Sequence, residues 1–272
     1  MLPHATPAIV LTFAATDPSG GAGIQADLMT TCALGCHCLS VITAITVQDS
    51  IGVDRVEPVP AAILELQARK ILADVPVNAF KIGLIGSAEN VAAIASILAD
   101  YPDVPVVFDP VLASGRGDSM ATGAMIDAMR NRLLPRTTIL TPNSLETRRL
   151  AGAKRAGVPQ EPLASCARQL IALGCHHVLV TGTHEETPRV VNTLYGPSGV
   201  IRADPWDRLP DSYHGSGCTL ASAVAAFLAH GFAIDEAVRK AQEYAWQTLF
   251  HAFRAGQGQL IPNRFFAHTA AG

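Results

Sequence analysis

The stretch His214-Gly215-Ser216-Gly217-Cys218-Thr219 sets small residues and one thiol directly before an apolar helical pattern, Leu220 to Ala229. Small residues at a helix start leave several backbone N–H groups pointing one way, and the helix dipole adds to them, so an anion is the natural ligand and phosphate the first candidate. A glycine-rich helix cap without a ligand would use the same residues. No Gly-Lys-Ser/Thr follows, and the earlier turn at Gly20, Gly21 and Gly23 lacks G-x-G-x-x-G spacing, so a Walker-type NTPase and a dinucleotide enzyme are both disfavoured. Asn143-Ser144-Leu145-Glu146 places an amide and a carboxylate three apart on one helix face. Such hard oxygens suit Mg²⁺ holding phosphates, and they suit a capping box equally well.

The elements that must carry these residues alternate. Apolar runs at Ala8 to Ala15, Leu39 to Val47, Phe80 to Ile85, Val104 to Phe108, Thr138 to Leu140 and Val178 to Val180 read as six buried strands of a parallel sheet. Between them, Gly23 to Leu34, Pro60 to Leu72, Ala88 to Leu98, Met120 to Leu133 and Leu163 to Leu173 carry apolar residues three and four apart. Val190 to Tyr195, turning at Gly196 to Gly199 into Val200 to Arg202, reads as a β-hairpin at a sheet edge, and helices at Thr219 to Ala229 and Asp235 to Phe253 end the chain. This pattern predicts an α/β doubly wound fold. In such sheets ligands bind beyond the carboxyl ends of the strands, and five of the six predicted strand ends run into side chains able to bind one: Asp17, Gln48, Asp109, Asn143 and Thr181 to His184.

Composition narrows the function classes. Of 272 residues, 49% are apolar and 16% charged, enough for a large core and incompatible with a disordered chain. A net charge of −3 gives no field to draw nucleic acid or an anionic membrane. Mean hydropathy is +0.27, yet the longest apolar runs fall short of the roughly 18 to 20 residues of a spanning helix. The chain is therefore expected to be cytoplasmic, with its six cysteines reduced. Arg116-Gly117-Asp118 spells an adhesion tripeptide that is most simply a loop.

Several longer motifs resemble one family. Thr16 to Leu28, Ser40 to Gln48, Lys81-Ile82-Gly83, Asp109-Pro110-Val111, Thr141-Pro142-Asn143 with Glu146, and His214 to Thr219 are similar to the hydroxymethylpyrimidine/phosphomethylpyrimidine kinases, within the ribokinase-like superfamily. The resemblance covers nearly the whole chain and implies one ribokinase-like domain over residues 1–272. It implies a mostly parallel central sheet with helices on both faces and a β-hairpin at one edge. It also implies ATP- and Mg²⁺-dependent phosphorylation of 4-amino-5-hydroxymethyl-2-methylpyrimidine (HMP) and then of its monophosphate, by a homodimer.

Family positions for the pyrimidine fall on Ala15, Asp27, Gln48, Leu84, Val111 and Cys218. Those for ATP and phosphate fall on Asp109, Asn143, Glu146, Thr181, Thr183 and Ser216, with Asp109 and Glu146 organising the metal. Gly215, Ser216, Gly217 and Cys218 would hold the transferring group, Cys218 standing where many sugar kinases of the superfamily carry an Asp base. A thiol at a helix N-terminus is expected to have a lowered pKa, so Cys218 could accept the substrate proton near neutral pH. Departures from the family are Ala15 for Gly, Thr181-Gly182-Thr183-His184 for Lys-Gly-Gly-His, and Asn192 for Asp. The alternatives are a pyridoxal or pyridoxine kinase, a pyrimidine-binding protein that has lost catalysis, and a thiol acyl-transfer enzyme. The last is opposed by the absence of a strand-to-elbow setting for Cys218.

Overall fold

A computed structural model of the chain describes residues 6–114, 117–152 and 161–269, which leaves Arg116 of the Arg-Gly-Asp triplet outside. In order run β1 (Ile9–Ala14), α1 (Gly23–Ala33), β2 (His37–Ile42), β3 (Ala44–Gln48), β4 (Val53–Pro58), α2 (Ala61–Leu72), β5 (Ala79–Ile82), α3 (Ala88–Ala99), β6 (Val106–Phe108), α4 (Gly123–Ala128) and β7 (Ile139–Leu140). The chain continues through α5 (Ser144–Ala151), α6 (Leu163–Ala172), β8 (His177–Val180), β9 (Arg189–Gly196), β10 (Gly199–Asp207), α7 (Ser216–Ala229), α8 (Ile234–Phe250) and α9 (Phe266–Thr269). The main sheet has the order β10-β9-β8-β7-β6-β5-β1-β2. Its six strands from β8 to β2 are parallel, and β9 and β10 add the antiparallel hairpin at one edge.

Every residue of β1 is buried, as expected of a parallel strand covered on both faces. Alternate side chains feed two cores. Phe13, Phe80 and Phe108 pack with Leu64 of α2, Ile94 of α3 and Leu170 of α6 on one face. On the other, Val10, Ala79, Val107 and Ile139 meet Ala221 and Val224 of α7 and Val238 of α8. Residues 219–226 of α7 are buried without a break, and their small side chains let this helix lie close under the sheet.

Two predicted elements differ. Leu39 to Val47 is not one strand: Thr43 breaks it, because its carbonyl is claimed by the Asn90 side chain and its hydroxyl donates to the Leu84 carbonyl at 2.5 Å. Beyond the break, β3 leaves the main sheet and pairs antiparallel with β4 as a separate two-stranded flap. The helix predicted over Met120 to Leu133 instead starts at the Thr122 cap, whose hydroxyl accepts from the Met125 amide, widens through a π turn (Met129–Leu133) and then tightens into a 3-10 turn (Leu134–Arg136) that contains Pro135. No helix among the described residues is long and apolar enough to cross a membrane.

Candidate active site

One cleft runs along the carboxyl ends of the parallel strands, from the flap to the hairpin edge. Its centre is the turn before α7. The helix begins at Ser216, three residues earlier than the sequence pattern predicts, with Gly215 as its left-handed cap (φ 80°). Ser216, Gly217 and Cys218 are therefore first-turn residues, whose N–H groups have no partner within the helix.

This turn is fastened to the first glycine-rich turn. His214 Nε2 lies 2.9 Å from Asp17 Oδ2, and Asp17 also accepts from the amides of Ser19 (2.9 Å) and Ala22 (2.6 Å). Burial would raise the Asp17 carboxyl, but its bonds from His214, Ser19 and Ala22 hold it below the usual range. Arg264, 3% exposed, donates to the carbonyls of Gly20 (3.4 Å) and Gly21 (2.5 Å) and to Thr219 Oγ1 (3.1 Å). The segment leading to it is stitched down by Gln259 N to Ser50 O, Leu260 N to Ser212 O and Asn263 N to Thr248 O, all between 2.9 and 3.0 Å. The tail after Gly256, which the sequence leaves without a role, thus braces both glycine-rich turns. Phe253, predicted to be helical, has left α8 to bridge Ile261 in this strap.

Beside the turn lie the two carboxylates. Asn143 and Glu146 form a full capping box on α5: Asn143 Oδ1 accepts from the Glu146 amide at 2.9 Å, and Glu146 Oε2 accepts from the Asn143 amide at 3.0 Å. Glu146 Oε1 takes the Leu112 amide at 3.1 Å. Asp109 Oδ2 is buried with no hydrogen-bond partner. Burial pushes Asp109 up to about 6, against the pull of Lys81, and burial together with the Asp109 charge pushes Glu146 up to about 7. Among the described residues there is no cluster of three or more acidic, His or Cys side chains that would cage a metal. An unpartnered buried carboxylate oxygen beside a second carboxylate does fit a cation that takes its remaining ligands from water and phosphate.

These raised values fix a sign. The folded protein binds protons that the unfolded chain, with carboxylates near 3.8 and 4.5, has already lost, so stability falls as pH rises from about 4 to about 7. Thermal melting of the metal-free protein should show that fall. Magnesium should raise the melting temperature more at pH 8 than at pH 5; an equal rise at both would separate the ion from this pair.

At the cleft floor, Lys81 is fully buried and donates to Asp27 Oδ1 and Oδ2 at 2.8 and 2.9 Å. Asp27 also accepts from Thr12 Oγ1 at 2.6 Å and Ser222 Oγ at 2.7 Å. With four bonds and no exposure, Asp27 sits behind the cleft wall, in contrast to the pyrimidine contact that the resemblance implies. Lys81, by contrast, lines the cleft. A charged residue inside the apolar run Phe80-Lys81-Ile82 is the signal that could have revealed it. The expected low pKa of Cys218 is also overturned. Burial, with the Asp109 and Asp27 charges adding, pushes the thiol up to about 12, and these outweigh the pull of Lys81 and of a hydrogen bond with the Gly23 backbone.

At the flap end, Ala15, Leu84, Val111, Thr46 and Gln48 line the cleft with Cys218. Gln48 stands on β3 of the flap, not at a strand end of the main sheet as predicted, and its side-chain donation to the Thr16 carbonyl is long at 3.5 Å. At the hairpin end, Thr181, Thr183, His184 and Asn192 line it with Trp206, Gln242 and Trp246, three residues that sequence reasoning missed. Asn192 Oδ1 accepts from the Gly182 amide (3.1 Å), its Nδ2 donates to Gln242 Oε1 (3.0 Å), and Gln242 Nε2 donates to Asp204 Oδ2 (2.8 Å). Asn192 is thereby held by neutral partners.

A mostly parallel sheet with an anion-cradling helix start and a two-carboxylate face at its carboxyl edge defines a small-molecule phosphotransferase of ribokinase-like fold. A family model described as phosphomethylpyrimidine kinase matches residues 17–263, and the chain belongs to that family. It is 40% identical over 261 residues to the hydroxymethylpyrimidine/phosphomethylpyrimidine kinase of Streptomyces coelicolor, covering 94% of each chain. Its fold matches phosphomethylpyrimidine kinase from Clostridium difficile 630 (TM-score 0.76, 34% identity, 89% of this chain and 99% of that one). It also matches pyridoxal kinase from Staphylococcus aureus in complex with AMP-PCP and pyridoxal (TM-score 0.83, 28% identity, 95% and 93%).

Proposed function

We propose that this protein phosphorylates HMP and then its monophosphate from magnesium-ATP, as one kinase domain over residues 1–272. The observation that carries the reading is the linear order of the cleft. The end lined by Gln48, Leu84 and Val111 adjoins the Gly215–Cys218 turn, which adjoins Asp109 and Glu146. Gln48 offers both a donor and an acceptor to the base edge. The amides of the turn hold the moving phosphoryl group, and such a loose transition state asks mainly for position and charge stabilisation. Magnesium, when bound by Asp109 and Glu146, neutralises the phosphates. Asp109 and Asp27 hold the Cys218 thiol up and Lys81 pulls it down, so the charge that favours proton acceptance by sulfur here is the Lys81 ammonium.

The test is ADP release with HMP, HMP phosphate and pyridoxal in parallel. Turnover with both pyrimidines and kcat/KM for pyridoxal at least tenfold lower is expected; a preference for pyridoxal would assign the protein to the other kinases of its fold. Cys218→Ala should lose on the order of 10²-fold in kcat, the usual scale of a proton-transfer group. A variant within threefold of the parent would reduce the thiol to packing.

A further inference from the structure

The strap after α8 does more than brace the glycine-rich turns, because it is also seated on the tip of the flap. Gly258 N donates to Ser50 Oγ at 3.1 Å and Gln259 N to Ser50 O at 2.9 Å, and Ser50 lies in the turn between β3 and β4. The seat needs glycine. A Cβ on Gly258 would overlap the Ser50 carbonyl, and one on Gly256 would overlap the Ser50 hydroxyl. One residue beyond Gln259, Leu260 N donates to Ser212 O at 3.0 Å and Leu260 O accepts from His214 N at 2.9 Å, which ties the strap to the segment entering the Gly215–Cys218 turn. Gln259 therefore bridges the flap tip and the approach to the phosphate turn, at the end of the cleft where Gln48 stands two residues before Ser50.

Gln259 is half-buried and lines the cleft, and among the described residues its side-chain amide has no hydrogen-bond partner. Other cleft amides are spent on the protein: Asn192 and Gln242 are bonded to each other, to the Gly182 amide and to Asp204. At the flap end Gln48 has only its long donation to the Thr16 carbonyl. Two amides thus meet a ligand there with donors and acceptors still to place. The backbone of Gln259 is pinned on both sides, so less freedom remains to be lost when its amide meets that ligand.

We propose that Gln259 is a second recognition residue for the pyrimidine, donating its side-chain N–H to the ring nitrogen that Gln48 leaves unread. This role rests on the kinase reading above and adds to it a residue that selects the ring. Gln48, with one donor and one acceptor to present, matches the 4-amino group and the ring nitrogen beside it. The other ring nitrogen, flanked by C2 and C6, is a further acceptor, and an acceptor taken out of water without a donor is costly. A pyridine has one ring nitrogen where a pyrimidine has two. A site with a donor for each leaves one donor unpaired on a pyridine, and an unpaired buried donor is how such sites reject an analogue.

The probe is 2-amino-3-hydroxymethyl-6-methylpyridine, which is HMP with CH in place of that second nitrogen. The parental protein should turn it over with kcat/KM about five- to fiftyfold below HMP. Gln259→Leu should lose about as much with HMP. Its KM for ATP and its melting temperature should stay at the parental values, since the bond from Gln259 N to Ser50 O does not use the side chain. Gln259→Glu, which keeps the shape and removes the donor, should lose as much as the leucine variant and guards against a folding defect in it. In both variants HMP and the pyridine should be turned over with kcat/KM within about twofold of each other, because the group that tells them apart is gone. A displaced strap would lower both substrates together and keep their ratio. Gln259→Leu with parental kcat/KM for HMP, or one that still rejects the pyridine as the parent does, overturns the role of Gln259 while the kinase reading stands. A parental protein that releases no ADP with HMP overturns both.

Discussion

Gly215→Ala is expected to lower kcat by on the order of 10³-fold or more while leaving HMP binding in place. The backbone there is left-handed, at φ 80°, which costs an L-residue about 1–2 kcal/mol. Space matters more than torsion. A Cβ on Gly215 would stand 2.0 Å from the Gly21 carbonyl oxygen and 2.9 Å from Ala22 Cα, and both are backbone atoms held by the Asp17 and Arg264 network. Neither can rotate away, so the two turns must part by more than 1 Å. Displacement of that size costs about 10²-fold through lost alignment, and misaimed amide donors cost about 10²- to 10³-fold. Gly217→Ala is the control, since its Cβ would meet only Asp109 Oδ2, at 3.9 Å, and should stay within tenfold of the parent. Should Gly215→Ala keep a tenth of the parental kcat with HMP, phosphoryl transfer does not depend on this turn.

That contrast also shows what a sequence carries and what it does not. The central parallel strands were legible because they are buried on both faces, and an unbroken apolar run such as Ile9 to Ala14 has few other readings. The flap was not. Leu39 to Val47 is mainly apolar along its length, and what divides it at Thr43 is the side chain of Asn90, 47 residues away. Cys218 was correctly placed at a helix start, yet the dipole argument gave the wrong direction for its pKa. Local geometry favours thiolate, while burial and two carboxylates from other elements favour thiol. The Asn143–Glu146 pair, open between cap and ligand, proved to be a cap whose carboxylate also faces Asp109. Arg264 had no local signal at all, because its partners Gly20 and Gly21 lie more than 240 residues away.

Lys81→Met is expected to destabilise the protein by about 3–5 kcal/mol, the cost of stranding one member of a buried ion pair. For a chain of this length that is a fall in melting temperature of roughly 6 to 20 °C. Asp27 would keep its bonds from Thr12 and Ser222 but lose both contacts to the ammonium, and with no exposure it cannot recruit water. Lys81→Arg is no remedy, since even a Cβ placed on Gly83 would lie 2.7 Å from Nζ and the larger guanidinium has no room. Adding Asp27→Asn to Lys81→Met removes the stranded charge while an amide oxygen still accepts from Thr12, so most of the stability should return. Activity should not return with it. Lys81 supplies the positive charge that pulls the Cys218 thiol and the Asp109 carboxyl downward, and the double variant lacks that charge. The double variant should therefore melt near the parent, with kcat still at least tenfold low and with Cys218 alkylated more slowly by iodoacetamide at pH 8. Recovery of both stability and kcat would make the pair a piece of core architecture, and a Lys81→Met protein as stable as the parent would mean that Asp27 is not held as an ion. Folding regained without turnover is the outcome expected of a buried pair kept under the cleft for the charge that its lysine presents from below.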